Sequence, residues 1–406
     1  MRSRYPRPVK ALLLENIHPD AVGLLEDAGL EVVRQKSALG EADLAAALPG
    51  VAVLGIRSKT RLSAAVLAGA HDLLAVGAFC IGTDQIDLAA ASALGIGVFN
   101  APYSNTRSVV ELTLAEIIAL TRRLTEKDRG MHAGTWDKSA TGAHEVRGRT
   151  LGIVGYGNIG AQLSVVGEAL GMRVVFYDTA DKLALGNARR CVSLEDLLEQ
   201  SDIVTLHVDG RPSNNSLFGE KEFSQMRPGA LFMNLSRGFV VDHEALRRHV
   251  LSGHLAGAAV DVFPEEPRSA GDAFVSVLQG LPNVILTPHI GGSTEEAQSD
   301  IGAFVGAKLA DFVTYGASSL SVNLPQLVLP PTAGSHRLAH VHHNVPGVMA
   351  EINSVLAAHG VNVEAQLLGT RNDLGYALTD IGIDYPDEVV EQLRAMSPTV
   401  RLRVLS

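Results

Sequence analysis

The sequence predicts an α/β protein with two doubly wound parallel sheets and a small β-α-β-β-α-β module at its C-terminal end. Three observations predict it. Short apolar runs of strand type alternate with helical segments from Val9 to about Tyr315. A strand, a glycine turn, a helix, a second strand and an acid follow one another between Leu151 and Asp178. Pro325, Pro330-Pro331 and Thr332-Ala333-Gly334 then interrupt the chain as a linker does, and the order of elements changes beyond them.

The elements follow in order. Strands are expected from Val9 to Leu14, Glu31 to Val33, Val51 to Leu54, Leu73 to Val76 and Ile96 to Phe99. Helices such as Asp20 to Ala28, Ala42 to Leu48 and Leu88 to Leu94 lie between them. A long periodic helix runs from about Arg107 to Leu124, then a loop near Gly134-Thr135-Trp136. Leu151 to Val154 is a strand, Ile159 to Leu170 a helix and Arg173 to Tyr177 a strand. Further strands are Ile203 to Leu206, Ala230 to Asn234, Gly257 to Asp261 and Val284 to Leu286. Ser293-Thr294-Glu295-Glu296 has the pattern of a capping box and opens a helix that reaches about Tyr315. The last module reads as strand Leu338 to His342, helix Gly347 to His359, strands Val363 to Gly369 and Tyr376 to Ile383, helix Asp387 to Met396 and strand Thr399 to Val404.

Composition narrows the class. At 406 residues the chain is too long for one ordinary core, and 46% hydrophobic residues suit a globular α/β protein. A net charge of -10 argues against a nucleic-acid partner, since phosphate binding demands a basic surface. The two cysteines, Cys80 and Cys191, lack metal-ligand spacing and make no disulfide framework. Reduced thiols, no secretory segment and no apolar stretch of membrane-spanning length lead to the expectation of a soluble cytoplasmic protein without a metal site.

The glycine turn is Gly155-Tyr156-Gly157-Asn158-Ile159-Gly160. Gly155 permits a tight turn, Gly157 lets backbone approach a pyrophosphate, and Gly160 lets helix pack on strand. The helix N-terminus offers free N–H groups to phosphates. Asp178 stands where a carboxylate would bond both ribose hydroxyls and repel a 2′-phosphate, which favours NAD over NADP. A strand-end acid capping a turn is the competing reading.

Three polar residues carry the chemistry: Arg237 in Ser236-Arg237-Gly238, Glu266 in Pro264-Glu265-Glu266-Pro267, and His289 in Thr287-Pro288-His289-Ile290-Gly291-Gly292. Each falls just past an expected strand end, where open α/β sheets bind ligands. An arginine can hold the carboxylate of a 2-hydroxy acid and polarise the reacting carbonyl. A histidine can give or take the hydroxyl proton. A neighbouring glutamate favours the imidazolium and should raise its pKa.

These motifs resemble the D-isomer-specific 2-hydroxyacid dehydrogenases, in the subgroup that carries a C-terminal ACT domain. The likeness runs essentially end to end. It includes Gly55 to Thr60 (GIRSKT), Phe79 to Asp84 (FCIGTD), Asn100 to Val109 (NAPYSNTRSV), Leu255 to Pro264 (LAGAAVDVFP) and the stretch after His289. The resemblance implies a discontinuous substrate domain, residues 1–103 and 292–330, around a Rossmann-like nucleotide domain, 104–291, with an ACT domain at 335–406. The cleft would lie between the first two, with sheets of Rossmann and flavodoxin type.

It further implies NAD-dependent oxidation of D-3-phosphoglycerate, with Arg237, Glu266 and His289 catalytic. Arg57, Ser58 and Asn105 would line the substrate site, and Lys36 would meet the phosphate or be a solvated lysine. Asn158, Ile159, His207, Val208, Ser236, Asp261 and Gly291 would join the glycines, Asp178, Arg237 and His289 around the cofactor. Asp261 would lie near the nicotinamide carboxamide and His207-Val208 near adenine, where Asp209 replaces a frequent proline. In the ACT module His342, Asn344 and Asn362 would bind L-serine as feedback effector, although His343 and Val345 depart from the usual Glu and Arg. A homotetramer is implied. A dehydrogenase for another acid, such as 2-hydroxyglutarate, and a non-catalytic NAD-binding scaffold are the alternatives.

Overall fold

Strands buried on both faces read as unbroken apolar runs, and the central strands here do so. All six residues of Val51–Ile56 and all five of Ala230–Asn234 are buried. The computed structural model describes residues 9–267 and 271–405. They form two compact units, Met1–Pro102 with Gln298–Ser406, and Tyr103–Ala297.

The first unit begins with β1 (Val9–Leu13), α1 (Asp20–Asp27), β2 (Leu30–Arg34), α2 (Glu41–Ala47), β3 (Val51–Ile56), α3 (Ala64–Ala68), β4 (Ala75–Ala78), α4 (Leu88–Ala93) and β5 (Gly97–Asn100). Its sheet is parallel in the order β2-β1-β3-β4-β5, so the winding reverses between β1 and β3. The loops after β1, β2 and β3 hold Glu15, Lys36 and Arg57.

The second unit contains α5 (Thr106–Thr121), α6 (Leu124–His132), β6 (Thr150–Val154), α7 (Asn158–Ala169), β7 (Arg173–Tyr177), β8 (Arg189–Arg190), α8 (Leu194–Gln200), β9 (Ile203–Leu206), α9 (Glu220–Gln225), β10 (Ala230–Asn234), α10 (His243–Leu251), β11 (Leu255–Val260) and β12 (Val284–Leu286). Its parallel sheet runs β12-β11-β10-β9-β6-β7-β8 and reverses between β6 and β9.

Two local expectations change. The helix expected to reach Leu124 stops at Thr121, and Arg123 turns left-handed with φ +53° before α6 starts. The cause is partly tertiary: Arg123 bonds Glu126 at 2.5 Å, and Glu126 also accepts the N–H of Asn283 at 3.1 Å. The capping box at Ser293 moves by one residue. Thr294 accepts the N–H of Ala297 at 3.2 Å and so caps α11 (Glu295–Tyr315), while its hydroxyl also meets that of Ser108 at 2.8 Å.

The final module continues the first unit with β13 (Ser335–His343), α12 (Val348–Ala358), β14 (Val363–Arg371), β15 (Leu374–Gly382), α13 (Asp387–Ala395) and β16 (Thr399–Leu405). Its antiparallel order β14-β15-β13-β16 is the ferredoxin-like one. Period-2 alternation separates its two faces. Leu338 and Ile381 pack under the helices with Val348, Ile352, Val389 and Leu393. Ala339, Val341, Tyr376 and Leu378 join a core with Leu309, Phe312 and Leu327. Arg337, only 5% exposed, stitches this junction. It forms a forked pair with Asp380 at 2.6 and 2.8 Å and donates to the carbonyls of Tyr315, Leu329 and Pro330 at 2.7 to 2.9 Å. The proline-rich linker is thus pinned through its carbonyls, which have no sheet or helix partners of their own.

Candidate active site

In the second unit, β6 runs into Gly155, whose φ of +91° is open to glycine. A side chain at Gly155 would stand 2.6 Å from the His207 carbonyl, and one at Gly160 would stand 2.3 Å from the Gly155 carbonyl. The turn is therefore pressed between the end of β9 and α7. Gly157 faces open space, with nothing within 4 Å of where its Cβ would be. It is also the N-cap of α7 and supplies no side-chain cap, so no capping side chain occupies the N-terminus of the helix. Exposed Asn158 and half-buried Ile159 form the first turn.

Asp178 follows β7 by one residue. Its carboxylate accepts from the N–H groups of Tyr156 and Ala180, each at 2.8 Å. It caps its own turn and at the same time ties β7 to the glycine turn, leaving the outer lone pair of each oxygen for a ligand. At the end of β9, His207 shares a proton with Thr205 through Nε2 at 3.0 Å. Its Nδ1 is buried with no hydrogen-bond partner, and burial pushes its pKa down to about 4. Val208 beside it is half-buried. Asp209, where proline is frequent, is paired with Arg211 at 2.7 Å and with Asn214 at 3.0 Å. An uncapped helix N-terminus, a glycine-lined opening, a strand-end acid and an orphaned ring nitrogen together fit a dinucleotide.

Three adjacent strands bring the polar triad together. Arg237 follows β10, Glu266 follows β11 and His289 follows β12. His289 Nδ1 lies 2.9 and 3.1 Å from the two Glu266 oxygens. That hydrogen bond raises the His289 pKa, outweighing the burial that would lower it; the charges of Glu266 and Asp261 add to the rise and that of Arg237 opposes it. For Glu266, burial works upward but the bond to His289, its charge and the Phe263 N–H prevail, so the carboxyl is held below its ordinary value. Glu266 accepts from Phe263 N–H at 3.2 Å.

Two supports of this arrangement escape a motif reading. Asn234, fully buried at the end of β10, accepts from the N–H and hydroxyl of Ser236 and donates to the Arg237 carbonyl at 3.0 Å. An asparagine closing the apolar run Ala230-Leu231-Phe232-Met233 was its one sequence signal. Gly238 lets this loop abut the next, since a Cβ there would sit 2.0 Å from the Phe263 carbonyl carbon.

Asp261 is 1% exposed, and both its oxygens hold the histidine loop. They accept from the Thr287 hydroxyl at 2.6 Å and from the N–H groups of Ile290 and Gly291 at 2.8 Å. The backbone of His289 is left-handed, φ +55°, a conformation that persists only when surroundings impose it. The amide of Asn105 packs over Gly292, and its Oδ1 is buried without a partner.

Lys36, Arg57 and Ser58 lie in the first unit, Lys36 and Ser58 exposed and Arg57 half-buried. In the C-terminal module, His342 is 2% exposed and donates through Nδ1 to the His343 carbonyl at 2.8 Å, while its Nε2 has no partner. Asn344 and Asn362 are exposed; Asn344 bonds the Asn372 carbonyl at 3.3 Å, and Asn362 bonds Glu364 at 3.0 Å. No helix among the described residues is long and apolar enough to cross a membrane.

The NAD-binding domain of the D-isomer-specific 2-hydroxyacid dehydrogenases matches residues 114–291, and an ACT domain like that of the AHAS small subunit matches residues 338–401. The chain belongs to the D-isomer-specific 2-hydroxyacid dehydrogenases and is an NAD-dependent enzyme of that class. Within it, the D-3-phosphoglycerate dehydrogenases of Dictyostelium discoideum and Escherichia coli (strain K12) are each 46% identical to it, over 98% of this chain and 97% of theirs. Among solved structures, the D-lactate dehydrogenase of Aquifex aeolicus, complexed with NAD and lactic acid, is 26% identical with a TM-score of 0.66. That match covers 75% of this chain and 95% of the other.

Proposed function

We propose that this enzyme oxidises D-3-phosphoglycerate to 3-phosphohydroxypyruvate in the cytoplasm. The observation that carries the reading is the His289–Glu266 pair beside Arg237 on three neighbouring strand ends. The relatives that share 46% of its residues act, by their names, on that substrate.

With Nδ1–H committed to Glu266, neutral His289 presents Nε2 as the base for the C2 hydroxyl. As the proton arrives, Glu266 stabilises the imidazolium. Arg237 holds the substrate carboxylate and polarises the oxygen at C2. Bound NAD supplies the hydride acceptor. Gly155, Gly157, Asn158, Ile159 and Gly160 serve the pyrophosphate, Asp178 the ribose, and His207, Val208, Ser236, Asp261 and Gly291 the remaining cofactor walls. Lys36, Arg57, Ser58 and Asn105 serve the substrate, whose second anionic group needs cations other than Arg237.

The ACT module binds L-serine at His342, Asn344 and Asn362 and lowers activity, and the enzyme works as a homotetramer. Trp136, 73% exposed, supports an interface on the second unit.

The test is NADH oxidation with 3-phosphohydroxypyruvate, 2-oxoglutarate and pyruvate, in wild type and His289→Ala. Turnover on the phosphorylated acid, abolished in the variant, is expected. Turnover on another acid alone would overturn the substrate, and NADH binding without turnover on any would overturn the enzyme. Unchanged rates at millimolar L-serine would sink the effector reading.

A further inference from the structure

Glu15 lies just past β1 at the point where the first sheet reverses, and it connects two loops that the function assigns to substrate. Its carboxylate, in a residue only 8% exposed, accepts three backbone N–H groups from one loop. Oε1 takes Arg57 at 3.1 Å and Thr60 at 2.8 Å, and Oε2 takes Lys59 at 3.0 Å. From the other side, its own N–H reaches the Ser37 carbonyl at 3.3 Å, and that of Asn16 reaches the Gln35 carbonyl at 3.4 Å. One residue therefore ties the loop of Lys36 to the loop of Arg57 and Ser58. Gln85 closes the second loop by donating to the Arg57 carbonyl at 2.5 Å.

The backbone points the same way. Glu15 and Asn16 are both left-handed, φ +60° and +54°, a costly pair for residues with side chains. A plain β-α connection has no need of it. Here it turns the Glu15 carboxylate under the second loop while its N–H reaches the first. Amides that would otherwise gather an anion are turned inward onto the protein's own carboxylate. The side chains of Arg57 and Ser58 are then left to face outward on a loop of defined shape.

We infer that Glu15 is the positioning residue for the two cationic loops and thereby sets the preference for a phosphorylated over a phosphate-free 2-keto acid. The inference rests on the proposed substrate role of Lys36, Arg57 and Ser58. Glutamine in its place would keep one acceptor but aim an NH2 group at an N–H, because three donors converge on both oxygens.

The experiment compares wild type, Glu15→Gln, Glu15→Ala, Arg57→Ala and the Glu15→Gln/Arg57→Ala double variant. It reads kcat and KM for 3-phosphohydroxypyruvate and for hydroxypyruvate, the same acid without phosphate, with NADH affinity by fluorescence. Glu15→Gln is expected to raise KM for the phosphorylated acid roughly tenfold, the usual scale for losing a hydrogen bond to a charged group, with kcat within about twofold. Its kcat/KM for hydroxypyruvate and its NADH affinity should hold, and the double variant should lose less than the two single losses combined, because the effect on Arg57 is shared and only that on Lys36 remains. A preference ratio unchanged in Glu15→Gln, with Arg57→Ala impaired, overturns the positioning role alone. So does a parallel loss on both acids and NADH with a lowered Tm in Glu15→Gln and Glu15→Ala, which would mark a residue of the fold only. An Arg57→Ala enzyme with unaltered KM overturns the substrate reading beneath it.

Discussion

His289 stands on strained backbone, bonded to Glu266 on one side and braced by Asp261 on the other. Its pKa is raised by Glu266, so the protonated form persists above the ordinary histidine range. The stabilisation this pair adds is fully present below the unfolded pKa and is lost as pH rises through the folded one. Keto-acid reduction needs the imidazolium and should fall with rising pH on that limb; oxidation, which needs the neutral ring, should rise. Glu266→Gln removes the carboxylate charge, so the limb should move to lower pH in a kcat/KM profile, and an unmoved limb would assign the titration elsewhere. Gly238→Ala is expected to lower kcat at least about tenfold while NADH still binds, because a methyl 2.0 Å from the Phe263 carbonyl carbon must push the Arg237 and Glu266 loops apart. Steady-state kinetics beside NADH fluorescence checks it.

At the scale of elements, α5 carries a group that no motif announced. Glu116 is 3% exposed, and neither of its oxygens has a hydrogen-bond partner. Burial raises its pKa to about 8; the charge of Asp261 adds to this, and the Thr287 hydroxyl, committed to Asp261, opposes it only weakly. Between pH 4.5 and about 8 the folded chain keeps a proton that the unfolded chain releases, so stability falls as pH rises across that window. Glu116→Gln should flatten the decline of Tm between those limits, and an identical slope in variant and wild type would deny Glu116 the part. The same element shows where periodicity misleads. Arg107 to Leu124 looks like one helix, yet the ion pair of Arg123 with Glu126, anchored to Asn283, divides it into α5 and α6. Short helices such as α8 and α10 are held by caps: Ser193 accepts from Asp196, and Asp242 from Glu244 and Ala245.

At the scale of the molecule, the C-terminal module is part of the first unit and Arg337 holds it there. All of the guanidinium's bonds go to Asp380 and to three carbonyls of α11 and the linker. Removing it would leave Asp380, whose pKa burial raises but Arg337 and Thr332 bring down on balance, as an unpaired buried charge. Arg337→Ala should therefore cost about 3–5 kcal/mol in chemical denaturation and expose the 325–334 segment to proteolysis, whereas a change under about 1 kcal/mol would contradict the weld. Periodicity 2 and helical spacing are local, so both parallel sheets, the β-α-β-β-α-β order and the glycine turn were legible in the residues. So was the convergence of Arg237, Glu266 and His289, because each follows an apolar strand in a distinctive motif. The bracing role of Asp261 and the roles of Arg337 and Glu15 were not. They act through partners distant in sequence, as Glu15 does on Arg57 and Arg337 on Asp380, and a hydrogen bond between remote segments leaves no period along the chain. The chain order alone carried the fold class and the chemistry; only packing decided which buried polar groups hold that chemistry in place.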